Sequence, residues 1–440
     1  MSNFDLVLKL FLQLTVILAA CKIVGIVGRY LGQTQVVSEM IAGVLLGPSL
    51  FGLMAPQAQA WLFPQQALIE VGTQTASITH PSMTILYAIS QIGLVLYMFL
   101  VGLEFNSSLL SGRLKSAGLV SAAGIVVPFA LGGVLAMTIA GRADFFKPDL
   151  PLWTVVLYVG ASMSITAFPM LARIIYEKGI AGTRMGTMAL AAGSMDDAIA
   201  WCLLAIVLAS VKSSPMIAIL AVGGGFLYCI GMILPGRRLF RFFARWTERD
   251  DGVSTNTLLT LLMVLMLCAW FTDFIGIYAI FGAFIAGTAM PRGRFATEVR
   301  HHLEFLTTTL LLPIFFVYSG LNTRIGLVNT MELLAITGII LVIAIAGKGL
   351  ACMFAARVSG ETWREAATIG TLMNARGLME LIILNIGLAE GIIRPTFFTI
   401  MVLMAVITTL MTSPLFHYLY GRHLGKPVPS PALPDSLATE

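Results

Sequence analysis

Apolar runs of eighteen or more residues recur along almost the whole chain, and they limit the fold more than any motif does. A helix of about 18–20 apolar residues, rising 1.5 Å per residue, crosses the roughly 30 Å hydrocarbon core of a bilayer. A single globular core cannot absorb so many such runs. Of the 440 residues 58% are hydrophobic and 11% charged, whereas a soluble domain has roughly 45–50% and 25%. The chain therefore reads as a membrane protein. The runs are too long and too evenly apolar for the alternating strands of a transmembrane barrel, which leaves helices.

Thirteen spans are predicted, near 6–28, 35–54, 83–103, 115–140, 152–176, 184–211, 214–235, 255–273, 276–290, 305–320, 329–357, 366–389 and 395–420. The predicted fold class is all-α, a polytopic membrane protein with one transmembrane domain over 1–420. Residues 421–440 read as a short, Pro-rich, disordered cytoplasmic tail. With residue 1 outside, eighteen Lys and Arg fall in inner loops and five in outer ones (Arg142, Lys147, Lys212, Arg324 and Arg394). This bias places the N-terminus outside and the C-terminus in the cytoplasm. The LAAC at Leu18–Cys21 looks like a lipoprotein cleavage box, but Asp5 precedes Lys9 and the apolar run continues through KIVGIVG, so cleavage is not expected.

The five cysteines lie in or beside apolar runs with no CxxC pair, and the histidines fall in loops or near span ends, His301-His302 included. They predict neither a metal cluster nor a cofactor. No enzymatic activity is expected.

Thirteen spans divide as six, one and six, and halves offset by seven spans are inverted relative to each other. Short matches fall in the register this division requires. Span 2 carries IAGVLLGP and span 9 IAGTAMP; span 3 ends FLVGLEFN and span 10 VYSGLNTR. A transporter of inverted repeats places its ion site where two corresponding helices break at mid-membrane. Span 5 contains SMSITAFP, with Pro169, and span 12 contains MNARGLME, with Asn374, Arg376 and Glu380. Proline removes a backbone donor, while Ser, Thr and Asn offer local alternatives, so both segments can unwind and present helix ends to an ion. Arg376 and Glu380, spaced i, i+4, read as a structural ion pair.

Between these breaks, span 6 carries Asp196 and Asp197 in a run, Met185–Val211, whose one other ionisable side chain is Cys202. An intramembrane Asp costs about 2.5–3.5 kcal/mol on insertion scales, so two imply a polar cavity. Lys348, in AGKGL of span 11, is nine residues from Arg357 at the inner end. That is about 14 Å of helix, too far to snorkel with ease, and the lysine is expected beside an aspartate.

Between spans 7 and 8, Arg237, Arg241, Arg245 and Arg249 recur every four residues among Phe240, Phe242, Phe243 and Trp246. This predicts an amphipathic helix on anionic lipid at the inner face, with no nucleic acid as partner.

Eight stretches in this order resemble the second family of monovalent cation:proton antiporters, the sodium/proton and potassium/proton exchangers: EMIAGVLLGPSLFG, LYMFLVGLEF, SITAFPMLARI, MDDAIAW, IGIYAIFGAFIAG, PIFFVYSGL, AGKGL and MNARGLMELIILNIG. The resemblance covers roughly residues 6–420. It implies a homodimer in which a core bundle with crossed broken helices moves like an elevator against a dimerisation bundle. It also implies that Asp197 carries the cation or proton, that Asp196 pairs with Lys348, and that Thr166 contributes from the crossed helices. Many electroneutral relatives have Asn where this chain has Asp196. No GxGxxG follows a strand and the Pro-rich tail is not expected to form a nucleotide-binding domain, so nucleotide gating is not expected.

The expected function is secondary active exchange of a monovalent cation, Na+ in preference to K+, for protons by alternating access across a bacterial inner membrane. Two carboxylates make it electrogenic. A sodium-coupled organic-anion symporter of the same architecture, or a channel or membrane sensor, are the alternatives.

Overall fold

The computed structural model describes residues 2–31, 33, 35–71, 74–104, 114–180, 183–211, 215–241, 253–275 and 279–420. It is helical apart from a hairpin of β1 (Gln66–Val71) and β2 (Gln74–Thr79) in the loop after the second span, and one isolated bridge, Phe146 to Ile393. Among the described residues, eight helical stretches are long and apolar enough to cross a membrane, with three shorter apolar helices beside them. The chain is a multi-pass membrane protein.

The first half runs through α1 (Asn3–Tyr30), α2 (Gln35–Leu46), α3 (Phe51–Met54), α4 (Pro56–Leu62), α5 (Pro81–Glu104), α6 (Leu114–Ile139), α7 (Leu152–Ser164), α8 (Phe168–Glu177) and α9 (Arg184–Val211). α10 (Pro215–Gly231) leads to the second half, α11 (Thr255–Phe274), α12 (Ala279–Ala289), α13 (Arg294–Leu306), α14 (Leu312–Leu321), α15 (Met331–Ala344), α16 (Ala351–Val358), α17 (Trp363–Met373), α18 (Leu378–Ala389) and α19 (Pro395–Leu419). Many of these helices are apolar on every face, as helices are when lipid or protein surrounds them entirely.

Packing repeats between the halves. α2 lies against α14, and α5 against α12, in each case through glycines of the matched motifs. A Cβ on Gly320 would stand 2.3 Å from the carbonyl carbon of Gly43, and one on Gly102 would stand 2.2 Å from the oxygen of Phe284, with Gly287 at 2.9 Å. Removing side chains here lets backbones touch, which is how helices gain packing energy without a hydrophobic drive.

The two broken spans also end alike. Gly179 after α8 and Gly391 after α18 both turn left-handed, at φ 67° and 71°. The next residue in each case reaches back with its N–H, Ile180 to Ile175 and Ile392 to Gly387. This is the 6→1 bond of a Schellman cap, and glycine adopts its backbone at no steric cost. The breaks themselves are Ile165–Ala167 and Asn374–Gly377, and they touch where the Ala167 N–H donates to the Ala375 carbonyl at 3.3 Å. α7 packs on α18 and α8 on α17, so the two broken helices cross.

Three π-helical stretches interrupt the long spans, at Met232–Gly236, Thr307–Leu311 and Ile345–Leu350. The last carries Lys348. Such bulges often mark functional positions, because the extra residue re-aims a side chain.

Candidate cation and proton site

Where the broken helices cross, α7 and α17 bring carbonyl ends to mid-membrane while α8 and α18 bring N–H ends. Free helix ends are costly in a bilayer core unless something meets them. Lys348 does part of this. Its ammonium donates to the Gly124 carbonyl of α6 at 3.0 Å and to the Ser164 carbonyl at the end of α7. It also donates to Asp196 Oδ2 at 3.3 Å, which uses its three donors.

Asp196 Oδ2 further accepts from the Thr166 hydroxyl at 2.5 Å, so Thr166 ties the first break to α9. Thr166 meets Asp196 and not Asp197. Asp196 and Asp197, at 1% and 0% exposure, leave three carboxylate oxygens without a hydrogen-bond partner among the described residues: Asp196 Oδ1 and both of Asp197. The Asn374 side-chain oxygen, at the C-cap of α17, is also unpartnered, and α17 packs on α9.

A buried carboxylate with neither proton nor partner is costly, so these oxygens call for a proton or a cation. Carboxylate oxygens suit a hard ion. Among the described residues there is no group of three His, Cys, Asp or Glu placed to hold a metal ion.

Arg376, fully buried, sits in the second break and pairs with Glu380 at 3.3 Å. The same guanidinium donates to the Met163 carbonyl at 2.7 Å and to that of Ser162 at 3.3 Å, so it also closes the carbonyl end of α7. Glu380 lies in the first turn of α18, where the helix dipole favours an anion. Pro169 falls in the first turn of α8. That helix position has no N–H to lose.

Sequence reading did not find Thr409. Its hydroxyl donates to the Arg376 carbonyl at 2.6 Å and accepts the Arg376 N–H at 3.1 Å, so α19 pins the second break through one side chain. A signal was present. Thr409 stands eighteen residues after Gly391, as Asp197 stands eighteen after Gly179, so the second repeat has Thr408-Thr409 where the first has Asp196-Asp197.

Of the basic stripe, Arg237 and Arg241 are exposed and follow the π-helical turn, with Phe240 buried between them. Arg245 and Arg249 lie outside the described residues, as does the tail 421–440.

Residues 15–418 match the family described as sodium/hydrogen exchanger, transmembrane. The chain is 39% identical over 416 residues to the Na+/H+ antiporter NhaS4 of Synechocystis sp., covering 94% of this chain and 97% of that protein. It is 32% identical over 428 residues to the K+/H+ antiporter 1 of Saccharomyces cerevisiae, covering 95% of this chain and 47% of that one. The chain thus spans about half the length of that relative, and likewise of several cation/H+ antiporters of Arabidopsis thaliana. Its fold is similar to the sodium proton antiporter MjNhaP1 of Methanocaldococcus jannaschii, with a TM-score of 0.65, 15% identity, and coverage of 95% and 98% of the two chains.

Proposed function

The chain belongs to the sodium/hydrogen exchanger family, and on that premise we propose that it exchanges Na+, in preference to K+, for protons at Asp197. The observation that carries this is the Asp197 carboxyl itself, buried in the membrane core with both oxygens unpartnered and a Lys348–Asp196 pair beside it. Desolvation favours a protonated carboxyl and an arriving cation favours the carboxylate, so the two cargoes compete for one group. The crossed breaks let both sides of the membrane reach that group in turn, and the bundle reorients when the carboxylate is occupied.

The cation would also draw on Asp196. When it binds, Asp196 turns from Lys348 to the cation, the ammonium gives up one proton, and Asp197 gives up the other. Two protons leave for each cation, and one net charge moves per cycle. The protein works as a homodimer in a bacterial inner membrane, N-terminus outside and C-terminus in the cytoplasm, with Arg237 and Arg241 against anionic lipid.

The test is transport by the purified chain in proteoliposomes loaded with a pH dye. An imposed sodium gradient should drive protons against their own gradient, and an imposed proton gradient should accumulate sodium. A channel cannot drive either ion uphill, and a symporter moves both in one direction. Proton movement with sodium, or downhill only, would overturn the reading.

A further inference from the structure

The outer face of α6 and the Lys348-bearing span enclose a groove that the exchange mechanism leaves unused. It has a volume of about 640 Å³, within the range of ligand clefts. One wall is Leu119, Ala123, Val127 and Leu131, four residues spaced by four and therefore on one face of α6. The opposite wall runs from Gly347 to Phe354 and beyond. Leu119, Val127, Leu131 and Phe354 are 39–52% exposed, so the groove opens outward, where a membrane protein meets lipid.

The two walls are antiparallel. Cys352 Sγ meets the Val120 carbonyl, Lys348 meets that of Gly124, and Gly347 faces Pro128 and Leu131. Lys115 and Arg357 therefore stand at the same end of the groove, and both are exposed. Lys115 continues the row of Leu119, Ala123, Val127 and Leu131 by one further step of four. Leu119 to Leu131 spans about 18 Å at 1.5 Å per residue. That is close to the roughly 15 Å depth of one leaflet's hydrocarbon.

We infer that this groove is a binding site for an anionic phospholipid, with one acyl chain along the apolar row and the phosphate at Lys115 and Arg357. Depth and charge both fit. An apolar trough one leaflet deep, with cations where headgroups lie, matches a lipid from end to end. Its membrane-deep end rests on Gly347, next to Lys348, so the bound chain packs against the π-helical turn that aims the lysine at Asp196.

The experiment uses the purified full chain, exchanged into detergent with phosphatidylcholine or phosphatidylglycerol, and counts retained lipid by native mass spectrometry. The unmodified protein should retain phosphatidylglycerol preferentially. Lys115→Gln with Arg357→Gln should lose that preference, by about fivefold for each cation removed. Ala123→Phe or Ala351→Phe should reduce retention of either lipid by filling the trough. Arg357 also donates to the Glu361 carbonyl and lies over the Trp363 ring, so Lys115→Gln alone, at an exposed side chain, decides the matter if another variant fails to fold. Equal retention of both lipids by the unmodified protein, or unchanged phosphatidylglycerol retention in the double charge variant, would overturn the site.

Discussion

Arg376 of the second broken helix donates to the Met163 carbonyl of the first at 2.7 Å. The repeats are thus locked together by one buried cation, which also holds Ser162 and Glu380. Arg376→Gln leaves a buried Glu380 without its partner and two carbonyls without donors. Breaking such a pair costs about 3–5 kcal/mol, and the variant should melt far below the unmodified protein in detergent. Adding Glu380→Gln should recover part of the loss. Full stability of Arg376→Gln would mean that the crossing is held elsewhere.

Asp197→Asn keeps the shape of the site and removes the titrating group, so sodium-driven proton flux should vanish while the melting temperature holds. Lys348→Gln is different. It strips a donor from Asp196, Gly124 and Ser164 together, and should destabilise by about 3 kcal/mol through the buried, unpaired carboxylate. Normal exchange by Asp197→Asn would remove it as carrier.

The proposed two protons per cation make the cycle sensitive to voltage. A potential of 100 mV is worth about 2.3 kcal/mol per net charge moved. Imposing or collapsing a valinomycin potential should change sodium-driven proton flux, and Asp196→Asn should lessen the response. Robust flux that ignores potential in the unmodified protein points to one-for-one exchange instead.

The glycine contacts make a paired prediction. Gly320→Ala and Gly102→Ala push a Cβ into backbone at 2.3 and 2.2 Å, and backbone cannot step aside. Each should cost about 1–3 kcal/mol. Gly118→Ala, on α6, meets nothing within 4 Å and should be neutral or slightly stabilising. Thermal unfolding of the three variants separates them.

His80 lies just before α5, outside the spans, and its Nδ1 accepts the Ser82 N–H at 3.2 Å. Burial, and then the Lys9 charge, hold its imidazole below the ordinary 6.5. The unfolded chain therefore takes up the proton first as pH falls. Stability from this group is complete above about pH 6.5 and is lost as pH drops through the folded value. His80→Asn should flatten the acid side of the melting profile as pH falls below neutral. An unchanged profile would show that His80 does not set it.

Much of this was legible because the bilayer is a severe solvent. It makes apolar length a direct readout of spans, and it makes Asp196, Asp197 and Lys348 conspicuous, since an intramembrane charge needs a reason. The motif matches between spans 2 and 9 and spans 3 and 10 anticipated an inverted repeat whose glycines the structure brings into contact. The hairpin at Gln66–Thr79 escaped notice, because its residues carry neither the length of a span nor strong alternation.

By itself, the sequence determined the solvent, the helical class and which side chains are too costly to be there by chance, since each follows from residue type and spacing along one chain. Only the tertiary structure decided what those side chains meet. Thr166 went to Asp196, Arg376 to the carbonyls of another helix, and Thr409 to the backbone of Arg376. In the last two contacts the partners are backbone groups freed by broken helices. Every residue carries such groups, so residue type cannot say which are left free or which side chain, two hundred residues away, arrives to satisfy them.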